Sequence, residues 1–121
     1  MVDALMRNSL ISPVFFISAN GALTLQVSVR FFTSLREIVG KKEETLEFPE
    51  SKKVTVDEVL ETLRQRYGTP FVEYVYDRNT GEVRSFLQFL VNGKSATTLN
   101  GLETELEDGD ALAILPPVGG G

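Results

Sequence analysis

The residues best suited to chemistry stand at the C-terminus, in the run Pro116-Pro117-Val118-Gly119-Gly120-Gly121. Glycine has no Cβ, so such a tail can enter a channel too narrow for side chains and adopt backbone angles closed to other residues. Two prolines before it favour an extended exit rather than a fold back onto the body. A carboxylate on Gly121 is then within reach of another protein's active site. The carboxylate is a poor electrophile, and joining it to AMP as a mixed anhydride would make it a good one. The plain alternative is a frayed end with no role.

A second group is acidic. Glu103, Glu105, Glu107, Asp108 and Asp110 put five carboxylates within eight residues. This spacing does not match a calcium loop, and no metal site is expected. The stretch reads either as a solvated turn or, through Glu103, Glu105 and Glu107, as a docking surface for a basic partner near the tail.

What is absent narrows the classes. The 121 residues include no Cys and no His. Disulfides, thiolate nucleophiles, the usual zinc sites and His-based acid–base catalysis are thereby excluded. No phosphate-cradling glycine loop or catalytic triad is visible. A net charge of −5 with scattered Lys and Arg argues against nucleic acid. No apolar run reaches the roughly 20 residues that span a bilayer. A chain without Cys fits a reducing compartment, and a cytoplasmic location is expected.

The elements that must hold the tail begin at Leu23. Leu23, Leu25, Val27, Val29 and Phe31 alternate with polar residues, the period of a half-buried strand. Thr33 or Ser34 is placed to cap a short helix through Val39, ended by Gly40. Thr45–Phe48 reads as a strand stopped by Pro49. The clearest helix follows a capping box at Thr55 and Glu58, with Val56, Val59, Leu60, Leu63 and Tyr67 on one face and Gly68 at its end. Phe71–Tyr76 is ambiguous between helix and strand. Phe86–Val91 is an apolar strand entering an Asn92-Gly93 turn, with Phe86 and Phe89 assigned to the core. After the Asp108-Gly109-Asp110 turn, Ala111–Leu115 is the last strand. The order predicts an α+β domain, a sheet with one main helix packed across it. Residues 1–22 precede the pattern as an extension of unassigned role. It resembles a signal peptide only faintly, with Pro13 interrupting its apolar run and Arg7 its one basic residue. The expected division is extension 1–22, folded unit 23–118 and tail 119–121.

Several stretches together resemble the MoaD/ThiS family of ubiquitin-like sulfur carriers, and most closely its molybdopterin synthase small subunits. They are Val29-Arg30-Phe31-Phe32, Leu35–Gly40, Thr55–Leu60, Val91-Asn92-Gly93, and Asp108-Gly109-Asp110 through Ala113-Ile114-Leu115-Pro116-Pro117-Val118 to the glycines. The resemblance implies a β-grasp fold. It also implies that an E1-like enzyme adenylates the carboxylate of Gly121 with ATP and that sulfur displaces AMP to leave a thiocarboxylate. The large synthase subunit would then receive Pro116, Pro117, Val118, Gly119 and Gly120 along with the loaded end. The chain would bind no cofactor itself, ATP and the sulfur source being used by the activating partner, and catalytic residues would lie on the partners. Two departures from the family pattern stand out: the N-terminal extension, and Gly119 as a third terminal glycine. The same activated end would also serve a protein modifier joined to lysines of other proteins, or a carrier for thiamine or tRNA thiolation.

Overall fold

The computed structural model describes residues 16–17 and 23–116. The expected tail beyond Pro116, including Pro117, Val118, Gly119, Gly120 and Gly121, lies outside the described residues, as does most of the extension.

Among the described residues six strands form one sheet: β1 (Phe16–Ile17), β2 (Leu23–Phe31), β3 (Glu43–Pro49), β4 (Gln88–Val91), β5 (Lys94–Ser95) and β6 (Ala111–Leu115). Strand β2 is its spine. It pairs antiparallel with β3 along its length, Thr24 to Pro49 through Arg30 to Glu43. Its other edge pairs first with β1, antiparallel at Leu23 and Thr24, and then with β6, parallel from Ser28 to Phe31. Strand β4 lies antiparallel on the far side of β6. The sheet is therefore mixed, and β6 is central within it. Phe16 and Ile17, from the segment read as an extension, add a short strand to this sheet.

The alternation read from Leu23 becomes a two-sided strand. Leu25, Val27, Val29 and Phe31 are buried, as are Leu112 and Ile114 on β6. Three helices cover that face: α1 (Thr33–Val39), α2 (Val56–Tyr67) and α3 (Thr69–Val75). The longest, α2, turns Val56, Val59, Leu60 and Leu63 into the core, each essentially inaccessible to solvent. Truncating one such leucine to alanine costs about 2–5 kcal/mol, lost transfer energy plus the cavity left behind. Thr55 caps α2 by accepting from the Glu58 N–H at 3.1 Å, while the Glu58 carboxylate pairs with Lys52 at 2.9 Å.

Some local expectations need correction, and one ambiguity is resolved. The first helix is capped by the backbone of Phe32, not by the side chain of Thr33 or Ser34, and Thr33 is already helical by assignment. The segment Phe71–Tyr76 belongs mainly to α3, because Pro70 in its first turn starts a new helix as readily as it ends the previous one. The central strand begins at Gln88, and Phe86 before it is 44% exposed, with the Arg84 guanidinium 6.0 Å from its ring centre. Leu99 is likewise exposed, between two 3₁₀ turns of which the first buries Ala96. Apolar character alone did not distinguish these rim positions from core.

Candidate functional site: the end of strand β6

The tail is rooted by the turn that starts β6. Asp108 Oδ1 accepts from the backbone N–H of Gln26 at 2.6 Å, and the Gly109 N–H donates to the Gln26 carbonyl at 2.8 Å. These bonds continue the β2 ladder where β1 has ended and β6 has not begun. Gly109 reaches this position with φ of 91°, a left-handed angle that suits glycine. Asp110 then ties the turn to the next hairpin. Its Oδ1 accepts from Asn92 Nδ2 at 2.9 Å, and its Oδ2 accepts from the Glu107 N–H at 2.8 Å. Asn92 and Gly93 make the two-residue turn between Val91 and Lys94, with φ of 52° and 87°. Two of the five clustered carboxylates are thus structural clamps.

The other three face outward. Around them Thr104 and Leu106 are buried, so the alternation leaves Glu103, Glu105 and Glu107 exposed on one side. Backbone bonds from Leu106 N–H to the Val54 carbonyl and from Val56 N–H to the Thr104 carbonyl hold this stretch against the start of α2. It lies at the entry to β6. Four residue steps of about 3.3 Å, roughly 13 Å, separate Ala111 from Leu115, where the tail leaves. The acidic stretch therefore lies at the opposite end of β6 from Leu115. Among the described residues, no group of three or more Asp, Glu, His or Cys is placed to hold a metal ion. Nor is any helix among them long and apolar enough to cross a membrane.

At the exit end, Leu115 pairs with Gln88 on one side, while Ile114 pairs with Phe31 on the other. Pro116 follows, half-buried, and the neighbouring strand β2 ends at Phe31, where the chain turns into α1 at the β2–α1 junction. That junction is strained: Thr33 has φ of 48°, an unfavourable region for a β-branched side chain. A cleft of about 230 Å³ opens here, lined by Arg30, Phe31, Phe32, Arg36, Lys42 and Glu43. It is not legible in the sequence, since its members come from three separate segments. Register could have found it: Arg30 pairs with Glu43, which brings Lys42 to Phe31.

Titratable groups elsewhere serve the scaffold. Tyr67 is pushed up to about 12, first by burial and then by its hydroxyl donating to Glu44, which also pairs with Arg66. Burial likewise raises Tyr76, whose ring lies under Arg64. Asp77 is lowered because its carboxylate accepts from the backbone N–H groups of Thr80 and Asn79. None of these groups is at the end of β6.

A family model described as the ThiS family matches residues 29–121, from the last three residues of β2 through the glycine tail. The chain belongs to the ThiS family. Small archaeal modifier protein 3 of Haloferax volcanii is 35% identical over 97 residues, covering 80% of this chain and all of that protein. Among solved structures, small archaeal modifier protein 1 of Methanosarcina acetivorans is 34% identical, with a TM-score of 0.67 over 81% of this chain and 98% of the other. A chain of the Amycolatopsis orientalis BexX/CysO complex is 31% identical, with a TM-score of 0.60 over 78% and 99%. The fold is accordingly the ubiquitin-like β-grasp, and ThiS proteins are small ubiquitin-like carriers and modifiers. In this ThiS member the family match starts beyond Leu23, so the N-terminal extension falls outside it.

Proposed function

We propose that this protein works through the carboxylate of Gly121, as a sulfur carrier that is adenylated and then thiocarboxylated, and that it serves as the small subunit of molybdopterin synthase. What supports the reading is a family match that runs through Gly121, with β6 delivering the chain at Pro116 to the end of the sheet. The chemistry follows from the end group. A Gly121 carboxylate oxygen attacks the α-phosphorus of ATP on an E1-like partner, pyrophosphate leaves, and an acyl-adenylate remains. Sulfide, as hydrosulfide, then adds at the acyl carbon and expels AMP, and loss of its proton leaves the thiocarboxylate that the large subunit consumes. The chain's own part is positional. A rigid sheet fixes the root at Leu115, and residues without side chains enter the partner's channel.

The names of two relatives favour a second reading, in which a lysine amine of a target protein displaces AMP and the tail ends in an isopeptide bond. Both readings share the activated glycine and differ in the nucleophile. Intact-mass measurement of the protein purified from its own cells separates them. Exchange of one oxygen for sulfur at the C-terminus is expected for the carrier. Gly121 found on lysines of other proteins, with no thiocarboxylate, would establish the modifier in its place.

A further inference from the structure

The cleft beside the tail root carries three cations, Arg30, Arg36 and Lys42, against one carboxylate, Glu43, in a chain whose net charge is −5. Charge is therefore divided along the sheet. The acidic residues Glu103, Glu105 and Glu107 stand near the entry to β6, and this cationic group stands at its exit. The cations are only loosely engaged. Arg36 Nε donates to the Phe31 carbonyl at a long 3.4 Å, and Arg30 lies 3.9 Å from Glu43. Arg36 and Lys42 are both exposed. The parallel register sets Phe31 beside Ile114, so Phe32 and the cleft flank the point where the chain leaves toward its terminus.

From this placement we infer that the Arg30–Arg36–Lys42 cleft is a docking surface that receives an acidic segment of the E1-like protein that activates the tail. The inference rests on the reading that the tail is activated by such a partner. A partner that threads the last residues must close around Pro116, and whatever surrounds its channel mouth then meets these cations first. Carboxylates there gain attraction before contact is complete, which raises the productive encounter rate. The half-buried Phe32 ring gives the contact an apolar floor.

The test measures association of the full chain with the cognate E1-like enzyme by stopped-flow fluorescence at low and high ionic strength. The double variant Arg36→Glu/Lys42→Glu should associate about tenfold more slowly at low salt. The difference should shrink toward parity near 1 M salt, where the screening length is about 3 Å. The charge-keeping pair Arg36→Lys/Lys42→Arg should associate like the parent. Equal thermal midpoints for all variants guard against misfolding. Unchanged association of the double reversal overturns the inference. So does a loss that salt does not relieve, or inorganic phosphate filling the cleft without slowing association. The carboxylate reading is judged separately, by adenylation at saturating carrier, which the double reversal should leave at the parent rate.

Discussion

Replacing Asp108 should loosen the sheet at the root of the tail without touching the tail itself. Its Oδ1 holds the Gln26 N–H at 2.6 Å, in place of a strand that has not yet begun. Losing a hydrogen bond to a charged acceptor costs about 1.5–3 kcal/mol. Against this, the Oδ2 atom of the same carboxylate is buried with no partner among the described residues. Its removal offsets about 1 kcal/mol of that loss. Asp108→Ala should therefore destabilise by about 0.5–2 kcal/mol. Asp108→Asn retains an acceptor oxygen for Gln26 at neutral strength, roughly half that of the charged bond, and should cost less than about 1 kcal/mol. For a folded unit of this size each kcal/mol moves the midpoint by about 4–8 °C. Thermal unfolding followed by circular dichroism reads both variants. If Asp108→Ala unfolds within about 0.5 kcal/mol of the parent, as an ordinary surface substitution would, the turn is not a clamp and the reasoning fails.

Backbone angle gives a contrasting pair. Gly93→Ala, at φ of 87° with open space around the new Cβ, should destabilise by about 1–2 kcal/mol through the angle alone. Thr33→Gly, at φ of 48°, should be neutral or stabilising by up to about 1 kcal/mol, and chemical denaturation compares the two directly. The Asp77 carboxyl sits below its ordinary 3.8 because the folded chain gives it two backbone N–H donors. Its stabilising effect is therefore complete above that value and fades as pH falls through the lower folded one. The fall in thermal midpoint over this acid range should be shallower in Asp77→Asn than in the parent, and parallel profiles would contradict the assignment. Deleting Met1–Asn20 removes strand β1, which pairs at two positions only, so cooperative unfolding should persist. Broad, non-cooperative melting of the truncated chain would make the extension part of the fold.

Much of this architecture was legible because period and punctuation agreed. The i, i+3, i+4, i+7 face of α2 had to be buried, and its Thr55 cap, Gly68 stop and inward residues all stand where the pattern put them. The alternation of Leu25, Val27, Val29 and Phe31 likewise had to face a core. Phe86 was misplaced because an unbroken apolar run does not say where pairing begins, and here the ladder starts two residues later at Gln88. The structural use of Asp108 and Asp110 was hidden for a related reason. A carboxylate near other carboxylates reads as solvated surface until the register shows Gln26 and Asn92 within bonding distance. The cationic cleft is wholly tertiary: Arg30, Arg36 and Lys42 meet only after β2, α1 and β3 have paired.

The central claim is that function needs Gly121 as the final residue while folding does not. Deleting Gly121 draws the carboxylate back by about 3.5 Å, the span of one extended residue. A displacement of even about 1 Å at a reacting group can cost on the order of a hundredfold in rate. Adding one alanine after Gly121 moves the carboxylate the other way and puts a Cβ into a channel shaped for glycine. The decisive measurement is ATP-dependent adenylation by the cognate E1-like enzyme of the parent, the deletion and the alanine extension, each checked for an unchanged thermal midpoint. The account predicts that only the parent is adenylated efficiently. Equal adenylation of all three folded proteins would contradict it.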